Sequence, residues 1–153
     1  IAVDPWFIVE AAPDETRLIR TAREVNDGKP KYVLDKIAAA VADKASGKGR
    51  PVVGLLGLAF KPDVDDLRES PALQIAEAVV AGGDCDVVVS EPHIEHLPAS
   101  LANGAGVRLT DDMHEAVREA DVVVMLVNHR LYQTIARDEL AGKTVIDTRG
   151  IWS

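Results

Sequence analysis

The 153-residue sequence holds a single cysteine, Cys85, and aromatic residues make up only 4% of it. One thiol rules out an internal disulfide and any zinc site built on cysteines; it fits a reducing compartment, with the cytoplasm as default. Basic residues are also short, 17 Lys and Arg against 25 Asp and Glu, for a net charge of -8. That balance argues against nucleic acid as the main partner and leaves phosphate recognition to a local basic pocket. No apolar run approaches the roughly 18 residues of a membrane span, and no membrane partner is expected. Repeats and low-complexity tracts are missing as well. What is present, 47% hydrophobic residues over a domain-sized length, suffices for a full core. Ile1 is not an initiator methionine, so a piece of a longer protein is expected.

The chain is organised around Pro51-Val-Val-Gly-Leu-Leu-Gly-Leu-Ala-Phe-Lys-Pro-Asp-Val-Asp-Asp-Leu-Arg-Glu-Ser-Pro71. Val52 to Phe60 reads as a strand covered on both faces, with Gly54 and Gly57 permitting close approach. A loop with Lys61, Asp63, Asp65, Asp66 and Arg68 follows, and Ser70-Pro71 opens a helix as N-cap and first residue. Upstream, Asp4 is expected to cap a turn before Pro5. A helix is expected from Pro13 or Asp14, with Leu18, Ala22 and Val25 on one face and Arg17, Arg20 and Arg23 on a solvated one. Asn26 to Pro30 marks a break, yet Leu34, Ile37, Ala38, Val41 and Ala45 resume the stripe. One kinked helix, or two nearly continuous ones, should therefore reach the linker Ser46 to Arg50.

Downstream, a helix from Pro71 should bury Leu73, Ala76 and Val80 and stop at Gly82-Gly83. Strands are expected at Cys85–Val89, Val107–Leu109, Val122–Val127 and Thr144–Ile146. Between them fall a helix capped by Thr110 over Asp111 to Glu119 and a short one near Leu131 to Ile135. This alternation specifies an α/β fold, a Rossmann-like doubly wound parallel sheet in order 3-2-1-4-5, preceded by a long helical arm.

Ligands of such sheets sit beyond the carboxyl ends of the strands, which gathers the Lys61–Arg68 loop, Asn128-His129 and Arg149 around one crevice. A lysine and two arginines there suit a diphosphate; alternatively Arg68 pairs with Asp65 or Asp66 and only holds the loop. Gly54-Leu-Leu-Gly57 lacks the G-x-G-x-x-G spacing, so this sheet is not expected to carry a dinucleotide by itself. His93 and His96, three apart in a Pro-flanked loop, make a poor metal pair, and no metal is expected. Cys85 reads as a small core residue.

Gly57-Leu-Ala-Phe-Lys-Pro-Asp-Val-Asp-Asp-Leu-Arg-Glu-Ser-Pro71 closely resembles the carboxyl-terminal domain of the nucleotide-sugar 6-dehydrogenases, the family of UDP-glucose, GDP-mannose and UDP-N-acetylhexosamine dehydrogenases. The resemblance extends to Asp4-Pro5, Arg20 to Pro30, Asp121 and Asp147-Thr-Arg149, and Ile1–Ile8 and Leu18–Asp27 look most like bacterial members acting on UDP-N-acetyl-D-mannosamine. It implies a subunit with an amino-terminal NAD-binding domain, a central helix forming a homodimer and a carboxyl-terminal nucleotide-sugar (UDP) domain. On that plan residues 1–46 are the end of the catalytic segment and the dimerisation helix, 51–153 are the UDP domain, and the NAD-binding domain lies outside the chain.

The implied reaction is the NAD-dependent, four-electron oxidation of a sugar C6 alcohol to a uronate for surface polysaccharide precursors, with the segment alone inactive. The resemblance assigns Asp4 to activation of the hydrolytic water, Lys61 and Arg149 to the substrate, and Arg68 to the cofactor NAD. The family's catalytic cysteine would immediately precede Ile1, so Cys85 is no substitute. A lysine that precedes the matched aspartate in the glucose enzymes is Val3 here, which favours the N-acetylhexosamine branch. UDP-N-acetylglucosamine and UDP-glucose remain alternative substrates, and a non-catalytic nucleotide-binding or dimerisation module is the alternative of another class.

Overall fold

The structure, a computed structural model, describes residues 3–46 and 49–152. Five parallel strands form one sheet: β1 (Val52–Leu56), β2 (Asp86–Ser90), β3 (Val107–Thr110), β4 (Val122–Met125) and β5 (Thr144–Asp147). Their order, β3-β2-β1-β4-β5, is the one the sequence implies. The chain winds outward from β1 to β3, then crosses back to β4, so the order reverses beside β1. Leu56 at the end of β1 stands level with Ser90 of β2 and Met125 of β4. Those three carboxyl ends meet where doubly wound sheets present ligands.

Both faces of the central strands are apolar, as parallel sheets require. Val53, Leu55, Val87, Val89, Val122 and Val124 face one core, which is covered by α3 (Lys29–Ala45) and α4 (Pro71–Gly82). Leu56, Val88, Val123 and Met125 face the other, under α6 (Met113–Glu119) and Tyr132. At Gly54 an added Cβ would lie 3.0 Å from both the Ala116 carbonyl and the Ala120 methyl, so the missing side chain lets α6 sit tight on β1. A short α5 (Ala99–Ala102) lies between β2 and β3.

Local chemistry sets the helix ends. Ser70 Oγ accepts the Leu73 N–H at 3.3 Å and donates to the Leu58 carbonyl at 2.7 Å, which ties the start of α4 to the end of β1. Gly83 ends α4 in the left-handed conformation. The deepest residues of α4 are Ala72, Ile75, Ala76 and Val79, while the expected Leu73 and Val80 are half-buried at the edge of the same face. Asp112, not Thr110, caps α6, accepting the His114 N–H at 2.8 Å; Thr110 Oγ1 accepts the Asp112 N–H and donates to Glu115 one turn in. β4 stops two residues before Val127 because Leu126 and Val127 both donate to the Leu56 carbonyl, which turns the chain out of the ladder. The expected helix near Leu131 is a 3-10 turn, Arg130–Thr134, followed by a second at Arg137–Leu140.

Upstream of the sheet the arm differs from expectation in three ways. Asp4 does not cap a turn; it opens a helix, α1 (Asp4–Ala11), whose Pro5 is tolerated in the first turn because its missing N–H has no partner there. The next helix, α2 (Arg17–Asp27), starts after Thr16 rather than at Pro13, leaving Asp14 and Glu15 in a preceding turn. Gly28 separates α2 from α3, so the arm is two abutting helices. Third, Ile37, Ala40 and Val41 of α3 pack into the same core as Leu55 and Ile75. The linker, whose Gly47 and Lys48 lie outside the described residues, thus joins two elements that share one core. On α2, Leu18 is 86% and Val25 59% exposed, a bare apolar stripe.

Candidate functional site

Immediately after β1 the backbone turns at Gly57, where φ is +89° and a Cβ would come within 2.5 Å of the Val127 Cβ. The next two amides, Leu58 and Ala59, donate to Glu91 Oε2 at 2.7 and 3.1 Å. The acidic loop then closes on itself: the Phe60 N–H donates to the Asp66 carbonyl at 2.8 Å, and Arg68 binds the Asp66 carboxylate through Nε and Nη2 at 2.9 and 2.8 Å. The side-chain and backbone N–H groups of Arg68 hold the Asp66 carboxyl down to about 2. Asp63 reaches the other way, accepting the Arg130 backbone N–H at 3.1 Å and Nε at 2.8 Å, and those bonds lower its carboxyl too.

A crevice of about 1210 Å³ opens between the arm and the carboxyl ends of β4 and β5. Arg149 lines it and is anchored by its Nε donating to the Leu126 carbonyl at 2.8 Å. Asp147 shapes that turn: Oδ1 accepts the Arg149 and Gly150 amides, and Oδ2 accepts the Trp152 amide. From the arm come Arg23, Lys29, Tyr32 and Lys36, and from the β1 loop Phe60 and Glu69. The Lys29 and Lys36 ammonium groups lie 5.7 and 5.1 Å from the Tyr32 ring. Four cations thus line the wall against Asp27, Glu69 and Asp147, with Asp27 engaged by Arg23. Guanidinium and ammonium groups beside three aromatic residues, Trp6, Tyr32 and Phe60, suit a ligand carrying both phosphate and a flat base.

The sequence profile of the UDP-glucose/GDP-mannose dehydrogenase family, UDP binding domain, matches residues 54–153. The chain belongs to the UDP-glucose/GDP-mannose dehydrogenase family. Over all 153 residues it is 52% identical to an NDP-N-acetyl-D-galactosaminuronic acid dehydrogenase of Ralstonia solanacearum, covering 34% of that protein. It is 46% identical to the UDP-N-acetyl-D-mannosamine dehydrogenase of Escherichia coli K12 over 99% of the chain and 36% of the relative. A solved UDP-N-acetyl-mannosamine dehydrogenase from S. aureus superposes with a TM-score of 0.71 at 32% identity, over 99% of this chain and 34% of that one. The chain therefore spans about a third of the length of the relatives it matches.

Set in this dehydrogenase family, the four residues singled out in the sequence fall in different places. Arg149 lines the crevice. Lys61 follows the lining residue Phe60, is itself off the lining, and makes no hydrogen bond or ion pair among the described residues. Arg68 is committed to Asp66, as one of the two sequence readings has it, and does not face the crevice. Asp4 is exposed in the first turn of α1, between the lining residues Val3 and Trp6. The expected single crevice is thus divided, because Asn128-His129 does not line it either. His129 is fully buried, its Nδ1 accepting the Asp63 N–H at 2.9 Å.

Two groups escaped the sequence reading. Lys29, Tyr32 and Lys36 recur at i, i+3 and i+7, which puts them on one helix face, and that spacing was the available signal. Glu91 gave less warning, being one acidic residue directly after an apolar strand, and His129, expected at the crevice, turns inward to meet it. His129 Nε2 lies 3.1 Å from Glu91 Oε2, and the His93 amide donates to Glu91 Oε1. Burial pushes the Glu91 carboxyl up, but His129 and the amides outweigh it and leave it below the ordinary range. Asp63, His93 and His129 hold donor atoms within 4.8 Å of one another, yet both His129 nitrogens are engaged, which leaves no lone pair there for a metal. Cys85 is buried and burial raises its thiol, as suits a core residue.

The cofactor that the family implies does not fit this sheet. A dinucleotide needs free amides in the turn after β1, and here Leu58 and Ala59 are both taken by Glu91. Among the described residues no helix is long and apolar enough to cross a membrane.

Proposed function

We propose that this chain is the arm and nucleotide-sugar-binding domain of a UDP-N-acetylhexosamine 6-dehydrogenase, with UDP-N-acetyl-D-mannosamine as substrate. The whole protein would convert the sugar C6 alcohol to a uronate for surface polysaccharide precursors, with NAD held by a domain other than this sheet. The observation that carries this reading is the crevice at the ends of β4 and β5, whose lining Arg149, fixed through Leu126, shares with Lys29, Lys36, Tyr32 and Phe60. On this reading Arg149 meets the substrate phosphate from the crevice wall, Lys61 binds the nucleotide sugar from the loop beside it, Arg68 serves the cofactor, and Asp4 supports the hydrolytic water. The working protein is a cytoplasmic homodimer.

A second substrate has its own support: identity to the NDP-N-acetyl-D-galactosaminuronic acid dehydrogenase reaches 52%, against 46% for the E. coli mannosamine enzyme. NADH formation by the full-length protein with UDP-N-acetyl-D-mannosamine, UDP-N-acetyl-D-galactosamine, UDP-N-acetylglucosamine and UDP-glucose tests both. Two NADH per UDP-N-acetyl-D-mannosamine is the expected result. Preferential turnover of the galactosamine substrate changes the substrate, and no turnover of any leaves a non-catalytic nucleotide-binding or dimerisation module.

A further inference from the structure

The turn after β1 is where a dinucleotide-binding sheet offers backbone amides to a pyrophosphate. In this chain the amides are present and an anion already sits on them. Glu91, 2% exposed, projects from the end of β2 and accepts the Leu58 and Ala59 N–H groups on Oε2 and the His93 N–H on Oε1. His129 supplies a fourth donor. Its Nδ1 is occupied by the Asp63 amide, which places the proton on Nε2, facing Glu91 Oε2 at 3.1 Å. Four N–H groups from the ends of β1, β2 and β4 therefore converge on one carboxylate, the donor number and charge preference of a phosphate site.

The glycines before this turn have another task. Gly54 admits α6 and Gly57 admits Val127, so neither opens space for a phosphate. We propose that Glu91 is an internal anion that fills the phosphate-receiving turn after β1, excluding dinucleotide phosphate from this sheet and directing a nucleotide to the side chains of the Arg149 crevice. Glu91 is thus a specificity-determining, positioning residue. By gripping residues 58 and 59 it also fixes where Phe60 enters the crevice. Only the direction to the crevice rests on the nucleotide-sugar reading; the filled turn stands without it.

The test removes the internal anion and offers an external one. In the full-length protein, Glu91→Ala leaves a cavity lined by the amides of residues 58, 59 and 93. Formate or inorganic phosphate at ten times its dissociation constant should then raise the variant's Tm by about 1 to 2 °C, with chloride of equal ionic strength as control. Wild type should not respond. In NMR spectra the Leu58, Ala59 and His93 amides of the variant should shift saturably with formate. A folded Glu91→Ala that ignores both anions, or a wild type that responds equally, overturns the proposal. If Glu91→Ala does not fold, Glu91→Gln keeps the shape but loses the charge. Displaced Leu58 and Ala59 amide shifts in it support the internal anion, and unmoved ones refute it. UDP affinity, measured separately, reports on the crevice reading alone.

Discussion

His129 and Glu91 stand 3.1 Å apart with neither side chain exposed, and the pair locks the loop after β1 to the ends of β2 and β4. Removing His129 takes one of the four donors from Glu91 and leaves the Asp63 amide without its acceptor. A hydrogen bond to a charged group contributes about 1.5 to 3 kcal/mol, and a stranded donor adds to the loss. His129→Ala should therefore lower the urea unfolding free energy by about 3 kcal/mol, a loss that equilibrium unfolding measures directly. A change within experimental scatter would mean that the pair contributes little to stability.

The same carboxylate predicts an acid dependence of known sign. The folded value of Glu91 lies below its ordinary one, so its stabilisation is complete above the unfolded value of about 4.3 and is lost as pH falls through the folded value. In that window the unfolded state binds the extra proton, and stability falls with pH at up to about 1.4 kcal/mol per unit for this one group. Glu91→Gln should be less stable at neutral pH and show a shallower acid slope. Unfolding curves between pH 3 and 7 for both proteins, roughly the range set by the unfolded carboxyl value, would reveal parallel slopes if Glu91 is not depressed.

Much of this architecture was legible beforehand because the sheet's signals are local. The apolar runs at Val52, Val87 and Val122 can only be buried strands, and Ser70-Pro71 and Gly82-Gly83 mark the ends of α4 by cap chemistry. The site was less legible because its parts depend on packing. Arg149 could be placed, since it directly follows a strand end. Lys29, Tyr32 and Lys36 could not, because their partner surface is reached only when Ile37 and Val41 dock on the sheet. Nothing in the local sequence says that Glu91 will turn inward; that requires the Gly57 turn and His129 to arrive from elsewhere in the chain. The α3 stripe was ambiguous for a similar reason: it reads the same whether it meets a second copy or its own sheet, and the structure packs Ile37, Ala40 and Val41 on the sheet.

Arg149 gives the sharpest test of the crevice. Its Nε is held by Leu126, so the rest of the guanidinium can meet a phosphate with little further ordering. Charge-assisted hydrogen bonds contribute roughly 1.5 to 3 kcal/mol each, so Arg149→Ala should weaken UDP binding about 10- to 150-fold. Lys61→Ala, off the crevice lining, should weaken it less. Calorimetric titration of UDP into each protein ranks them, and equal affinities for wild type and Arg149→Ala would remove this residue from the site.

Gly57 is a backbone requirement. Gly57→Ala would adopt a left-handed conformation and press a methyl against Val127, whose Cβ is 2.5 Å and whose N and O are 3.0 Å from the new atom. Left-handed strain of about 1 to 2 kcal/mol adds to overpacking of about 1 to 3 kcal/mol, so destabilisation near 3 kcal/mol is expected. A Tm within a degree of wild type would show that the turn can rearrange.

Self-association should depend on α2 and not α3. Ile37, Ala40 and Val41 are already covered by the sheet core, whereas Leu18 and Val25 lie bare on α2. A twofold interface uses each residue twice, so a charge placed there is buried twice and also repels its own copy. Covering one leucine contributes about 1.5 to 3 kcal/mol, and Leu18→Glu with Val25→Glu removes that from both sides of the contact. Light scattering should give the dimer mass for wild type and the monomer mass for the double variant. The thermal stability of the variant's fold should be nearly unchanged, because Leu18 is 86% exposed within one chain. A wild type at monomer mass, or a double variant that still dimerises, would move the interface elsewhere and leave the α2 stripe without a partner.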